Sequence, residues 1–229
     1  MLSSLKSDNV VLIIRRIADT VHSKASFLSQ LDAEVGDGDH GINLDRGFTE
    51  VGNRLPRYQD KDIGTILEET GTILISSVGG ASGPLFGTLF RRAGKAVNGT
   101  SSISLNDIVT MFEAAETGVI TLGGAKVGDK TMLDVLDPAA KASKKALDAG
   151  ELDLVKAFGS IVSAAEVGLE STKSLVASKG RAMYLGERSH GKYDVGAFSL
   201  FIILKSVLET LRGIEGDQIH TDKRELENS

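Results

Sequence analysis

The sequence predicts an all-α domain, and three observations carry that prediction. Apolar residues recur at three- and four-residue steps through most of the chain. No hairpin dipeptide separates two alternating apolar runs. Only three prolines occur, Pro56, Pro84 and Pro138, and all fall near expected helix starts or in loops. About eight helices joined by Gly-rich loops account for the 229 residues.

Taken in order, Val10, Ile14, Ile17, Val21, Ala25 and Leu28 form one apolar face of a long first helix. "SLNDIVTMFEAAETGVI" opens with Ser104 three residues before Asp107, a capping-box-like start with the shorter acid. From Glu151 to Ser178 small and apolar residues alternate without a turn signal, so this stretch is expected to be helical. Lys179 would be its basic last turn and Gly180 its C-cap. "VGAFSLFIILKSVLETLRG" has the apolar content of a buried strand, but its length and the spacing Leu200, Leu204, Val207, Leu211 favour helix. After Gly213 the apolar stripe is lost. Residues 1–212 are therefore expected to form a single domain, with 213–229 a flexible tail to which no function is assigned. No internal repeat or low-complexity segment is visible.

A domain of this length can bury roughly 70% of its unfolded surface, so it needs no covalent staples. The chain has no cysteine, which excludes disulfides and thiolate metal sites. A net charge of -5 argues against general nucleic-acid affinity. No apolar run approaches the roughly 20 residues of a membrane span. Arg15 and Arg16 interrupt the short apolar run at the N-terminus, which does not suit a signal peptide. The expectation is a soluble cytoplasmic protein that binds neither nucleic acid nor membrane.

Residues 31–48, "LDAEVGDGDHGINLDRGF", set Asp32, Glu34, Asp37, Asp39 and Asp45 among four glycines. Gly36, Gly38 and Gly41 formally match the dinucleotide fingerprint, but that motif needs a preceding strand and here a helix precedes it. An EF-hand register starting at Asp37 fails, because Gly41, Ile42 and Phe48 fall where ligands and the invariant glycine should be. Convergence of Asp32, Asp37 and Asp39 on magnesium fits better. Two carboxylates about 4 Å apart repel by ~4 kcal/mol at a surface-like dielectric, so three in one loop need a cation. Magnesium favours a few carboxylates together with phosphate oxygens. A solvated acidic turn is the bland alternative, and His40 and Asn43 directly after the acids weigh against it.

Three further loops accompany it. "SSVGGASGPLFG" offers glycine backbone donors and Ser82 at the N-terminus of a helix, an arrangement suited to anions, or else a plain interhelical turn. "GGAKVGDKTMLDVLDP" is a second Gly-rich lead-in to a helix, in which Asp129 and Thr131 fit ordinary helix-start caps. "GRAMYLGERSHGKYDVG" carries Arg181, Arg188 and Lys192. Arginine pairs well with phosphate, a surface role is equally open to Arg188 and Lys192, and His190 is a loop histidine.

Together the acidic "GDGDHG" loop, "SSVGGASGPLFGT", "GDKTM" and "GRAMYLGERS", in this order, resemble the L subunit of dihydroxyacetone kinase, from the first helix to about Leu211. The resemblance implies an antiparallel eight-helix barrel holding ADP or ATP and two Mg²⁺ in the loops at one end. It assigns the metal to Asp32, Asp37 and Asp39. Nucleotide contacts are implied at His40, Gly41, Ile42, Asn43, Ala81, Ser82 and Arg181, the adenine side at Gly123 and Met132, and a closing turn at Asp194, Val195 and Gly196. Val195 stands where the family has proline. Arg181 would take the catalytic role of offsetting charge on the transferred phosphate. The implied partners are a K subunit that holds dihydroxyacetone and a phosphohistidine donor protein, the M subunit; a homodimer is left open. The implied activity is phosphoenolpyruvate-dependent. An ATP-dependent kinase subunit for a related ketose, or a nucleotide-sensing regulator, is the alternative.

Overall fold

The computed structural model describes the backbone of residues 1–227 and the side chains of residues 1–218. Eight α-helices occur among the described residues: α1 Ser7–Ala33, α2 His40–Arg54, α3 Ile63–Ser77, α4 Ser82–Ala96, α5 Leu105–Gly123, α6 Leu133–Asp148, α7 Leu154–Ser171 and α8 Val195–Glu227. The expected all-α class holds. One short antiparallel pair, β1 Leu5–Lys6 with β2 Ser102–Ile103, ties the N-terminus to the chain before α5.

Each helix packs on its neighbours in sequence, and α8 closes the ring against α1. The pairs run antiparallel. His22 of α1 meets Asp45 of α2, and Thr20 of α1 meets Ser206 of α8. The first-helix stripe behaves as expected, with Val10, Ile14, Ile17, Val21 and Leu28 all buried in the main core. The capping box at α5 is present: Ser104 N–H donates to the Asp107 carboxylate at 2.8 Å. No described helix is long and apolar enough to cross a membrane.

An up-and-down ring sends every odd-to-even connection to the same end. The loops 34–39, 78–81, 124–132 and 172–194 therefore meet there, beside the N-termini of α2, α4, α6 and α8. Four helix dipoles present their positive ends to one place.

Close approach of α3 and α4 depends on glycine. A Cβ at Gly71 would lie 2.4 Å from the Gly87 carbonyl, and one at Gly87 would lie 2.6 Å from that of Gly71. The same reciprocal contact joins Gly64 and Gly94, at 2.8 and 2.6 Å. Backbone faces backbone, so no rotamer change can relieve the clash.

Three boundaries differ from expectation. The helix expected over 151–178 begins at Leu154 and ends at Ser171, and Gly180 is not its C-cap. Asp153 accepts the Val155 N–H at 3.0 Å and starts it, while Leu175 is extended and stops it after one 3₁₀ turn. Pro138 lies inside α6 rather than at its start. The Asp134 carbonyl that loses a donor to Pro138 faces Gly168 of α7, where a Cβ would come within 2.0 Å of it. Third, α8 does not end near Gly213 but runs to Glu227. Ile214 is buried and Glu215 pairs with the Met1 ammonium at 3.1 Å, which holds this extra turn. The side chains from 219 onward, part of the expected flexible tail, lie outside the described residues.

Asp194 caps the start of α8, its Oδ2 accepting the Ala197 N–H at 2.7 Å. Burial raises this carboxyl from 3.8 to about 7; the Ala197 N–H opposes the rise, Asp134 adds to it and Lys130 works against it. Between these two values the folded chain holds a proton that the unfolded chain has lost. The stabilisation is complete below the unfolded value and declines as pH rises through that window.

Gly71→Ala is expected to cost about 1–3 kcal/mol by overpacking, read from urea unfolding; a stability equal to wild type would refute the backbone contact. Asp194→Asn keeps the acceptor and removes the titration. It is expected to flatten the decline in melting temperature between the ordinary carboxylate range and about pH 7, measured calorimetrically in metal-free buffer. An unchanged profile would count against the raised carboxyl.

Candidate functional site

The four convergent loops enclose a cavity of about 520 Å³. One wall is acidic. Asp32, Asp37 and Asp39 each offer an oxygen within 4.8 Å of the others. Asp32 is fixed by local structure. It lies in the last turn of α1, its Oδ2 accepts the His40 N–H at 3.2 Å, and its backbone carbonyl accepts from Val35 and Gly36. Gly36 is required here because a Cβ would sit 2.4 Å from Asp32 Oδ1. Asp37 and Asp39 are exposed, and Asp37 forms an ion pair with Arg181.

His40 is buried, and its two ring nitrogens lie 3.0 Å from Ser82 Oγ and 2.7 Å from Ser199 Oγ. Burial lowers its pKa from 6.5, while Asp32 and Asp39 oppose that shift. A neutral ring has one donor and one acceptor, which matches two hydroxyls that can each play either part. The ring thereby links α2 to the N-terminus of α4 and to α8.

The opposite wall is apolar, built from Leu85, Phe86, Val119, Leu122, Met132 and Leu133. Gly123 ends α5, Gly124 caps it in the left-handed conformation, and Met132 caps α6. Gly196 lies against Met132, with a Cβ-to-Cβ approach of 3.8 Å were a side chain present. Such a surface suits a flat ring, and the polar wall suits what is attached to it.

Of the residues singled out from sequence, Asp32, Asp37, Asp39, His40, Asn43, Ala81, Ser82, Gly123, Met132, Arg181, Asp194, Val195 and Gly196 all line this cavity. Gly41 and Ile42 do not. Successive residues on a helix point about 100° apart, so His40 and Asn43 share a face that the two between them cannot. Gly41 instead lets α2 touch α1, a Cβ there lying 2.0 Å from the Ala25 carbonyl. Ile42 is 63% exposed. Thr131 caps the first turn of α6, accepting from Leu133 N–H at 3.2 Å. Asp129 does not. It accepts from Lys126 N–H and from Ser178 Oγ, fastening the loop after α7. Lys192 reaches the Glu34 carbonyl at 2.8 Å, and Arg188 is exposed. Val195 is the first residue of α8, where the family's proline would spare an N–H that has no intrahelical partner.

Sequence reasoning missed Ser199, fully buried on α8, and Lys179, which lines the cavity beside Arg181. It also missed Lys130, whose ammonium is buried. Nothing local distinguishes a buried lysine from a solvated one.

The residues fit a divalent cation bridged to phosphate. Three carboxylates converge with a single guanidinium among them, helix N-termini face the same space, and an apolar slot lies alongside. The likeness to known proteins agrees. A family model described as DAK2 domain matches residues 34–209. The chain is 44% identical over 202 residues to the ADP-binding subunit of PEP-dependent dihydroxyacetone kinase from Escherichia coli (strain K12), covering 88% of this chain and 96% of that protein. It is 31% identical over 207 residues to the ADP-binding subunit of PTS-dependent dihydroxyacetone kinase from Lactococcus lactis subsp. lactis (strain IL1403), covering 90% and 99%. The crystal structure of the dihydroxyacetone kinase from C. freundii in complex with AMP-PNP and Mg²⁺ matches with a TM-score of 0.66 and 27% identity over 88% of this chain. The chain spans about a third of that crystallised one, 33%. The acidic loop, the ring of helices and these matches together make the chain a member of the DAK2 domain family.

Proposed function

We propose that this chain is the ADP-binding subunit of a phosphoenolpyruvate-dependent dihydroxyacetone kinase. In this reading it relays phosphate from a phosphohistidine protein, through bound ADP and ATP, to dihydroxyacetone held on a separate K subunit. The observation that carries it is the convergence of three carboxylates on one side of a cavity whose other side is apolar. Both curated relatives described above are matched over nearly their whole length, and both are named as ADP-binding subunits of this kinase.

Asp32, Asp37 and Asp39 would hold two Mg²⁺, and the nucleotide's phosphates would lie between them and the N-termini of α2 and α4. When bound, the metal ions neutralise phosphate charge and orient the transferred group. The chain's own residues supply the rest. Asp32, locked by the His40 N–H, fixes the position of one ligand before any metal arrives. Ser82 presents its hydroxyl at the first turn of α4, held by His40. His40 adds no charge of its own, because burial keeps the ring neutral at pH 7. Arg181 is half-exposed in its pair with Asp37, and such pairs are worth about 0–1 kcal/mol. It can therefore turn to a phosphate oxygen at small cost and offset charge during transfer. Leu122, Met132 and Gly123 would line the slot for adenine.

The test is native mass spectrometry of the purified protein, followed by turnover with a K subunit and a phosphohistidine donor. Co-purifying ADP and formation of dihydroxyacetone phosphate are expected. Asp37→Asn should abolish nucleotide retention while leaving the helical circular-dichroism signal intact. A mutant that retains ADP as well as wild type would remove Asp37 from the metal site. Rapid exchange of bound ADP for ATP would favour the ATP-dependent alternative.

A further inference from the structure

Lys130 is the only described residue other than glycine with positive φ, at 61°, a backbone conformation that L-residues seldom adopt. Its side chain is wholly buried. The ammonium donates to four backbone carbonyls, those of Thr172, Leu175, Ser189 and Lys192, at 2.8, 3.1, 2.7 and 2.6 Å. Two of these lie just after α7 and two lie just before α8. The chain between them, residues 176–188, leaves and returns to the same place, as an Ω-loop does. Other bonds cross the same base. Gly191 N–H donates to the Lys173 carbonyl at 2.7 Å, and Ala177 N–H donates to Ser189 Oγ at 2.9 Å.

This loop carries Arg181, which pairs with Asp37, and Ser178, whose N–H and hydroxyl donate to the Asp129 carbonyl and carboxylate at 3.2 and 2.7 Å. Its own apolar residues, Ala177, Ala182 and Leu185, pack on Val35 of the acidic loop in a cluster separate from the main core. A separate cluster of three buried residues is too small to hold 13 residues in one conformation unaided. The base of the loop must do it. A compact cation at the focus of four carbonyl dipoles supplies that, since an ammonium can share its three protons among acceptors arranged around it.

We propose that Lys130 is a positioning residue. Its ammonium fastens both feet of the 176–188 loop and so holds Arg181 over the Asp32–Asp37–Asp39 cluster. Lys130 itself lines no part of the cavity. It acts through the loop, and it sits two residues before Met132, so one turn places both the adenine wall and the arginine.

The consequence for ADP rests on the proposed function; the consequence for the loop does not. Lys130→Met keeps the length of the side chain and removes the charge and donors. Hydrogen exchange on the full chain is expected to show lost protection at Ala177 and Gly191 and across 176–188, with α1 to α6 protected as in wild type. ADP should dissociate about tenfold to a hundredfold faster, the range seen when an outer partner of a site is removed. Ser189→Ala, which cuts the Ala177 cross-tie and the hydroxyl's bond to the Gly186 carbonyl while leaving the four Lys130 carbonyls paired, should give the same local pattern in weaker form. Should Lys130→Met fail to fold, Ser189→Ala decides. Loop protection equal to wild type in either folded variant overturns the proposal, as does loss of protection spread evenly over all the helices. If wild type and variants alike ignore ADP while the loop alone loosens, the functional reading fails and the role of Lys130 stands.

Discussion

Three carboxylates held within 4.8 Å of one another are the constraint around which the rest is arranged. Left to themselves, like charges at this spacing repel. The fold supplies one guanidinium, one backbone N–H and the positive ends of helices, which together soften the repulsion without cancelling it. In the proposed function a divalent cation would complete the balance, and a metal so bound would turn an acidic loop into a receptor for phosphate. The glycines among the acids serve the same end, since Gly36 lets the Asp32 carboxylate lie against the backbone.

The ring of helices is what makes that local arrangement into a site. Up-and-down connectivity brings alternate loops together whatever their sequences, so four motifs far apart in the chain share one end. The opposite end is occupied by plain fastenings, such as the β1–β2 pair and the Leu154 N–H on the Leu2 carbonyl. Tight contact is reserved for places where drift would matter. Gly64, Gly71, Gly87 and Gly94 lock α3 to α4, whose first residue is Ser82. His40, between Ser82 and Ser199, carries that alignment across to α8.

How far this could be read from the chain follows from the range of each interaction. The helical stripe of α1, the capping box of Ser104 and the acidic loop depend on neighbours in sequence, and all three were legible. The end of α7 was not: the chain turns extended at Leu175, where the Thr172 and Leu175 carbonyls accept from Lys130 more than 40 residues away. Pro138 looked like a helix start because the signal is local, whereas its tolerance comes from Gly168 on another helix. Of the site residues, Gly41 and Ile42 do not line the cavity for a different reason. A motif names consecutive residues, but a helix turns them to different faces. Ser199 and Lys130 bear no local mark, since only their burial distinguishes them from any other serine or lysine.

The most direct trial of the account is calorimetric titration of the intact protein with ADP, once with magnesium and once with a chelator. The account predicts that binding appears with the metal and vanishes without it. Equal affinity in both would mean that the carboxylates do not tether the nucleotide through a cation, and the central claim would fall.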